Sequence, residues 1–414
     1  MTHGKYFLIF IACFLLSGNL FSQDFGFGFD DDTLEANTAG GTGNSLNISV
    51  DGKVSASMVG YLNDIKNNAW SVFLGDIFSG SLNFTAKSSI AEGVINLNIN
   101  SSPELIGINE AYARAFLGRF DITAGLRKLT WGKADSMGPL DVINPLDTSI
   151  IYTEMADQSS YLGVKIAQPL VHASFRFGNF SKIEAVFVPN FRPHYIPTEG
   201  KWKPLQIRIM EDIPDQIHIV PPPPFPPSEM SLTTEHIKPA TDSVNYFQTG
   251  LRFTTTLGSS DIGIQYYYGR LHQPAVKIDI ISQGAPIPDS ININYIYKYN
   301  PYHQIGIDYA QVLFGFNVRA EAAVNITEDT KGDDGSVYNP NIAWSLGFDK
   351  NLFWGIDFNI QANQSIRLFH NKIAKDSPAS IVNNLLSNPM NVLAGSFDID
   401  IEGGMLRPRP ALAR

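Results

Sequence analysis

The stretch FNVRAEAAVNIT, Phe316 to Thr327, constrains this chain more than any other. Phe316, Val318, Ala320, Ala322, Val324 and Ile326 fall on one face of an extended backbone; Asn317, Arg319, Glu321, Ala323, Asn325 and Thr327 fall on the other. A repeat of two residues is a strand. Its length suits a tilted membrane crossing, which takes about 9–11 residues. The pattern recurs. Trp354, Ile356, Phe358, Ile360 and Ala362 oppose Gly355, Asp357, Asn359, Gln361 and Asn363. Phe247, Thr249, Leu251 and Phe253 run to a GSS turn, from which Ile262, Ile264, Tyr266 and Tyr268 return. Ala111, Ala113, Ala115 and Leu117 face away from Glu110, Tyr112, Arg114 and Phe116, and Gly118-Arg119 reads as a tight turn. Such hairpins build an up-and-down antiparallel sheet.

A soluble β-sandwich also alternates, but its strands average about 5–6 residues, half the length of those seen here. Aromatics near strand ends (Tyr112, Trp131, Trp344, Trp354, Phe369) fit an interfacial girdle. Short connections on one side face long ones on the other, as in outer-membrane barrels. The expected fold is all-β: a transmembrane antiparallel up-and-down β-barrel of about 14 strands, within a range of about 12–16. Candidate strands lie at 52–62, 78–87, 91–100, 107–118, 120–131, 160–168, 171–178, 180–190, 245–257, 261–271, 292–300, 303–313, 315–327, 340–349, 352–369 and 394–402, some of which merge.

The start of the chain agrees with such a destination. His3 and Lys5 precede an apolar run from Tyr6 to Leu16, then small and polar residues follow. This reads as a signal peptide over residues 1–22, cut after Ser22. The run is too short for a spanning helix, which needs about 20 apolar residues. The one cysteine, Cys13, lies inside it, so the exported chain has no disulfide. FIAC is a poor lipidation signal, because apolar residues continue beyond it. The net charge of -10 and the absence of a Lys/Arg cluster argue against a nucleic-acid partner.

Several segments break the alternation. Residues 23–44 have no period and read as a flexible N-terminal segment or a small plug. The barrel is expected over 45–402, interrupted at 191–243 by a long loop containing HIVPPPPFPPSEM. A proline run cannot donate to a strand ladder. Residues 371–393 carry Ile381, Val382, Leu385 and Leu386 at helical spacing after Ser377-Pro378, which predicts a short helix. The most unusual break is TWGKADSMGPLDVINPLD, Thr130 to Asp147. It is too polar for lipid and too rich in Gly and Pro for a strand. Irregular backbone at membrane depth is tolerated only where it lines a cavity or is buried in protein. Two readings stand side by side: a self-capped loop, and an inward constriction presenting Asp135, Asp141 and Asp147 to the lumen.

That segment also carries a resemblance. GLRKLTWGKADSMGPLDVINPLD is similar to the signature of an uncharacterised family of Gram-negative, porin-like outer-membrane β-barrel proteins, W-G-x-A-D followed by D-x-I-N-P-x-D. Gly125, Arg127, Trp131, Gly132, Ala134, Asp135, Asp141, Ile143, Asn144, Pro145 and Asp147 fit it. Pro189, Phe191, Pro193, Pro197, Gly200 and Trp202 resemble the strand and loop that follow, and NYFQTGLRF resembles the strand that re-enters. The resemblance implies a porin-type or fatty-acid-channel-type barrel in the outer membrane, inserted by the barrel assembly machinery, some members acting beside an export system for hydrophobic compounds. Such barrels usually end on an aromatic strand terminus. Here Phe397, Ile399 and Ile401 give way to RPRP, so residues 403–414 read as an atypical tail, either a truncation or a periplasmic extension.

The leading expectation is thus a porin-like channel or transporter for small or hydrophobic solutes, without cofactor or metal. Candidate pore-lining or constriction residues are Arg114, Arg127, Asp135, Asp141, Asn144, Asp147, Arg252, Arg319, Glu321, Asp357 and Asn359. Trp131, Gly132, Pro145, Pro189 and Trp202 are the signature's structural residues. A lumen about 14 strands around is too wide for wall side chains to fill, so a cavity or an internal plug follows. Two alternatives remain: a surface receptor or adhesin using the long loops, and an outer-membrane acyl hydrolase. The second is weak, because the histidines are scattered and no G-x-S-x-G elbow occurs.

Overall fold

The computed structural model describes residues 46–56, 59–64, 69–73, 78–100, 106–134, 138–148, 164–197, 216–219, 228–284, 290–351, 356–369, 372 and 391–399. The proposed signal peptide, N-terminal segment, terminal tail, short helix, Asp135, Trp202 and Trp354 lie outside them. No described helix is long and apolar enough to cross a membrane.

The architecture is antiparallel β. Its strands are β1 (Asn47–Ala56), β2 (Val59–Asp64), β3 (Ala69–Phe73), β4 (Phe78–Lys87), β5 (Ala91–Asn100), β6 (Ile106–Leu117) and β7 (Phe120–Arg127). Then come β8 (Gln168–Phe177), β9 (Ser181–Val188), β10 (Gln216–Ile219), β11 (Ser228–Ile237), β12 (Gln248–Leu257), β13 (Ser260–Arg270) and β14 (Ala275–Gln283). β15 (Ser290–Lys298), β16 (Pro301–Leu313), β17 (Phe316–Thr327), β18 (Asn341–Asn351), β19 (Ile356–Arg367) and β20 (Asn391–Ile399) complete the chain. One sheet takes fourteen strands in the order β1-β4-β5-β6-β7-β8-β9-β12-β13-β16-β17-β18-β19-β20. This is an up-and-down meander of the expected class and strand number.

Two candidate strands are corrected. The run at 292–300 is β15, which joins β10, β11 and β14 in a separate four-stranded sheet. Of the run at 160–168, the described residues 164–167 form no strand. The loop at 191–243 is also less irregular than its prolines suggest: β10 and β11 lie within it, and β11 pairs in parallel with β15. Alternation alone cannot say which sheet a strand will join, since both sheets reward the same period.

Turn chemistry explains the short side of the meander. Gly118, Gly178, Gly258 and Gly315 all have positive φ, which turns of two or three residues demand. The opposite connections include 128–167, 189–247, 271–300 and 328–340.

The described residues form two compact units. One contains the residues up to Leu117 with Thr123–Arg127; the other contains Gly118–Ile122 and the residues from Lys128 on. In the second unit the usual polarity of a strand is inverted. Along β16, Ile305 and Ile307 are exposed while Gln304 and Asp308 are buried, Ile307 at 50% and Asp308 at 1% exposure. Along β13, Ile264 and Tyr266 are exposed and Gln265 is buried. Leu251 is exposed beside buried Arg252, Ile183 beside Glu184, and Val324 near Glu321. Burying charge costs several kcal/mol unless it is paired, so no soluble sheet gains from this arrangement. An apolar exterior around a polar interior is the polarity of a membrane-spanning sheet.

Candidate functional site: an inward clasp and its polar bed

Residues 129–134 and 138–148 lie against the buried polar face of the second unit. Their sequence explains their path. Pro145 presets one bend and biases Asn144 toward extended backbone. The Asn144 side chain then ties the loop's two ends together: its Oδ1 accepts the Leu129 N–H at 2.7 Å and its Nδ2 donates to the Ile166 carbonyl at 3.0 Å. Ile166 N–H donates to Pro145 O, and Asp147 N–H donates to Val164 O, both at 2.8 Å. These bonds satisfy backbone groups that burial would otherwise leave without partners.

The strands supply a bed of side chains. The Glu321 carboxylate on β17 accepts from the backbone N–H groups of Lys133, of Ala134 at 2.7 Å and of Leu140 at 3.3 Å. Gln265 on β13 donates to the Leu140 carbonyl at 2.9 Å, and Gln304 on β16 donates to the Pro139 carbonyl at 3.0 Å. Gln168 donates to the Ile143 carbonyl. Lys165 forms an ion pair with Asp141 at 2.5 Å, both side chains buried, and donates to Thr130 Oγ1 at 2.7 Å.

Apolar knobs fit holes made by glycine. The Trp131 indole is buried in the cluster of Leu129, Ile143, Leu170, Val186, Val188, Tyr267 and Tyr302. A Cβ on Gly250 would stand 2.7 Å from the Trp131 ring, and one on Gly306 would stand 2.2 Å from a Leu140 methyl. Real contacts are not this short, so both strand glycines are places where the loop comes down onto the wall. Trp131 is therefore an anchor inside the second unit, which corrects its assignment to an interfacial girdle. Arg127 lies over the Tyr112 ring at 5.1 Å. Trp131→Ala should lower unfolding free energy by about 3–5 kcal/mol, and Gly250→Leu should destabilise by about 1–3 kcal/mol through overpacking. Unfolding by urea in micelles checks both. A wild-type midpoint in either variant would show that the indole does not fill this hole.

Charges on the second unit's wall are paired. Arg252 meets Asp308 at 2.9 Å and donates to Gln265 at 2.9 Å. His172 lies 3.1 Å from Glu184, which also faces Lys182 at 3.4 Å. Arg319 meets Asp349 at 2.6 Å, and Asn359 stands opposite Asp349 in the register. Arg176 pairs with Asp121. In the first unit, Arg127 donates to Thr123 Oγ1 at 3.2 Å, and Arg114 lies over the Phe116 ring at 5.0 Å. Asp357 stands opposite Asp398 in the β19–β20 pairing.

Asp141, Asn144, Pro145, Gly132 and Trp131 are thus brought together in one loop with Glu321, and Arg252 lies in the same bed through Gln265. Asp141 is not presented to open space, because Lys165 covers it. Pro189 ends β9. Sequence reasoning missed Lys165, Gln168, Gln265, Gln304 and Asp308. Four of them sit at polar positions of strands that were already recognised, so writing out both faces of β8, β13 and β16 exposes them. Lys165 lies in the candidate run at 160–168, where it alternates with Val164 and Ile166.

Two histidines join this loop to its neighbours outside the strands. His194 Nδ1 accepts the Leu146 N–H at 2.8 Å. The His272 ring has Nδ1 at 2.9 Å from the Arg192 carbonyl and Nε2 at 3.1 Å from the Val142 carbonyl. The two rings lie 4.9 Å apart, and Phe191 stacks on His272 at 5.2 Å. Burial, and secondarily the neighbouring His272, hold the His194 imidazole down to about 3. Burial also lowers His272, against the two carbonyls that favour its charged form.

No protein-family model and no curated protein matches the chain. Among solved structures, it is similar to OmpT of Vibrio cholerae, expressed in the outer membrane, at 8% identity and a TM-score of 0.44, over 87% of this chain and 84% of that one. It is similar to Salmonella typhi OmpF, solved in complex with daunomycin, at 8% identity and a TM-score of 0.40, over 87% of each chain. It is similar to OprB of Pseudomonas putida at 9% identity and a TM-score of 0.38, over 86% of each chain. Likenesses this distant establish neither family nor function.

Proposed function

We propose that the chain is an outer-membrane β-barrel that passes small solutes, with residues 128–134 and 138–148 folded inward to narrow its lumen. The observation that carries this reading is the inverted polarity of the second unit, where Ile305, Ile307 and Val324 face out while Gln304, Asp308 and Glu321 are buried. Lipid rewards the first set, and paired charges around an internal loop accommodate the second. Strand length and the contrast between short and long connections support the same reading. The clasp is the internal element that a wide lumen calls for. Trp131, Gly132, Asn144 and Pro145 have packing roles in it, which supports membership of the porin-like family whose signature they resemble. Insertion by the barrel assembly machinery and service beside an export system belong to the same proposal.

Fractionation of cells should place the protein in the outer membrane, and its migration in detergent gels should change on heating. Recovery in the soluble periplasm would overturn the reading. In planar bilayers the purified protein should conduct. A second reading, a surface receptor, draws on the four-stranded sheet β10-β11-β15-β14, which is built from the long connections and has His236 stacked on Tyr295 at 5.2 Å. Silence in bilayers, even after the clasp is released, would favour it.

A further inference from the structure

A row of side-chain hydrogen bonds crosses five neighbouring strands of the second unit, and every bond in it points the same way. Arg252 on β12 donates to Gln265 Oε1 on β13 at 2.9 Å. Gln265 Nε2 donates to Gln304 Oε1 on β16 at 2.9 Å, and Gln304 Nε2 to Asn325 Oδ1 on β17 at 2.9 Å. Asn325 Nδ2 then donates to Asn341 Oδ1 on β18 at 2.8 Å. Neighbouring strands lie about 4.8 Å apart, so the row spans about 19 Å. Its two glutamines are the ones that hold the clasp. The other N–H of Gln265 goes to the Leu140 carbonyl, and the other N–H of Gln304 to the Pro139 carbonyl. A primary amide has two N–H groups and one oxygen, so both glutamines, each buried, are fully committed.

The same amides can be joined in the opposite sense. Turning every one over exchanges its oxygen and nitrogen, and each then donates toward β12 instead of β18. The three bonds between amides survive this reversal. The ends and the clasp do not. Reversed, Gln265 turns its N–H groups toward Arg252, which has only donors. Both glutamines then set an oxygen against the clasp carbonyls of Leu140 and Pro139. We infer that Arg252 is the positioning residue that sets the row's direction, and that the row is thereby a two-state element whose forward sense alone accepts the clasp. Asp308 holds the Arg252 guanidinium from another side at 2.9 Å, which keeps the donor where it meets Gln265. Hydrogen bonds in series polarise one another, so the row favours one direction throughout. An amide turned alone sets oxygen against oxygen on one side and N–H against N–H on the other. The inference goes beyond the transport reading. It concerns how residues 138–148 are held, and its test needs no conductance.

Hydrogen exchange in the full-length protein in micelles reads the docked clasp at the amides of Ala134 and Leu140, which donate to Glu321. Asp308→Asn is the background, so that removing Arg252 leaves no buried carboxylate unpaired. Adding Arg252→Met, which keeps much of the side-chain volume and loses the donor, should lower protection about tenfold or more, as two hydrogen bonds to the clasp are lost. Asn341→Asp supplies an acceptor-only group at the far end of the row. Added to the Arg252→Met variant it should restore most of the protection, although it lies four strands away and its side chain bonds Asn325 rather than the clasp. Asn341→Leu ends the row without choosing a direction and should restore none. Protection that survives Arg252→Met would overturn the inference, as would a loss that Asn341→Asp repairs no better than Asn341→Leu does. Should the Arg252→Met variant fail to assemble, Asn341→Lys in the wild type decides. A donor-only group there opposes the forward sense and should lower protection of the same amides; unchanged protection would overturn the inference.

Discussion

Dropping the pH from 7.5 to 4.5 should weaken the attachment of residues 138–148 about 100-fold, through His194. In the docked loop, His194 uses Nδ1 as an acceptor for Leu146 N–H, which only an unprotonated nitrogen can do. Its pKa is about 3 there, against an ordinary 6.5 when the ring is free. A base whose pKa is depressed in the docked state holds fewer protons than in the released state below pH 6.5. Docking is therefore fully supported above that value and loses about 1.4 kcal/mol for each pH unit below it, until the docked-state pKa is reached. Two units give about 2.7 kcal/mol. Arg192 contributes its backbone carbonyl to His272, and Arg270 lies over Tyr246 at 4.2 Å. Tyr299 packs on Phe191 at 4.9 Å and is raised above its usual range by burial. Hydrogen exchange of Val142 and Leu146, corrected for the intrinsic pH dependence, reads the effect. His194→Asn retains an acceptor without titrating and should shrink it to the share left by His272, which burial also lowers. Equal protection of these amides at both pH values in wild type would show that the histidine does not control the loop.

The strands were legible because lipid and lumen impose opposite demands on alternate residues. Phe316 to Thr327 can satisfy both only by alternating, and Glu321 lies among the buried polar residues that this pattern places inward. The sheet order was less legible, as β15 shows: Ile291, Ile293 and Tyr295 alternate with Asn292 and Asn294 as a barrel strand would, yet the strand joins β14 and β11 instead. The clasp's turns could be read from Asn144-Pro145. Its partners could not, because they come from strands more than a hundred residues away, such as Gln265 on Leu140 and Glu321 on Lys133. Counting aspartates suggested a charged constriction. Pairing decides otherwise for Asp141: its partner Lys165 sits in a run read as a strand, and that pattern does not say which carboxylate the lysine meets. The histidines looked like scattered polar tips, since His194 and His272 are distant in the chain and meet only when the loops after β9 and β13 converge.

Removing the Glu321 carboxylate should release the clasp more completely than acid does. In Glu321→Ala, the amides of Lys133, Ala134 and Leu140 lose their common acceptor. Each buried N–H left without a partner costs about 1–3 kcal/mol, so even partial rehydration leaves a loss of about 3 kcal/mol, or over 100-fold in exchange protection at these amides. On the proposed function, conductance should rise in the same variant. Gly132 supplies a second handle on the same contact. Its φ is +108°, a backbone region that only glycine adopts at little cost, and an added Cβ would stand 2.3 Å from Glu321 Oε1. Gly132→Ala should therefore push the carboxylate off the loop and resemble Glu321→Ala in both exchange and conductance. If both changes act on one latch, the double variant should be little worse than either single variant, since the contact can be lost only once. Losses that simply add would mean that Gly132 and Glu321 support the loop independently. Protection and conductance that stay at wild-type levels in Glu321→Ala would mean that the glutamines and the Trp131 anchor hold the clasp without the carboxylate.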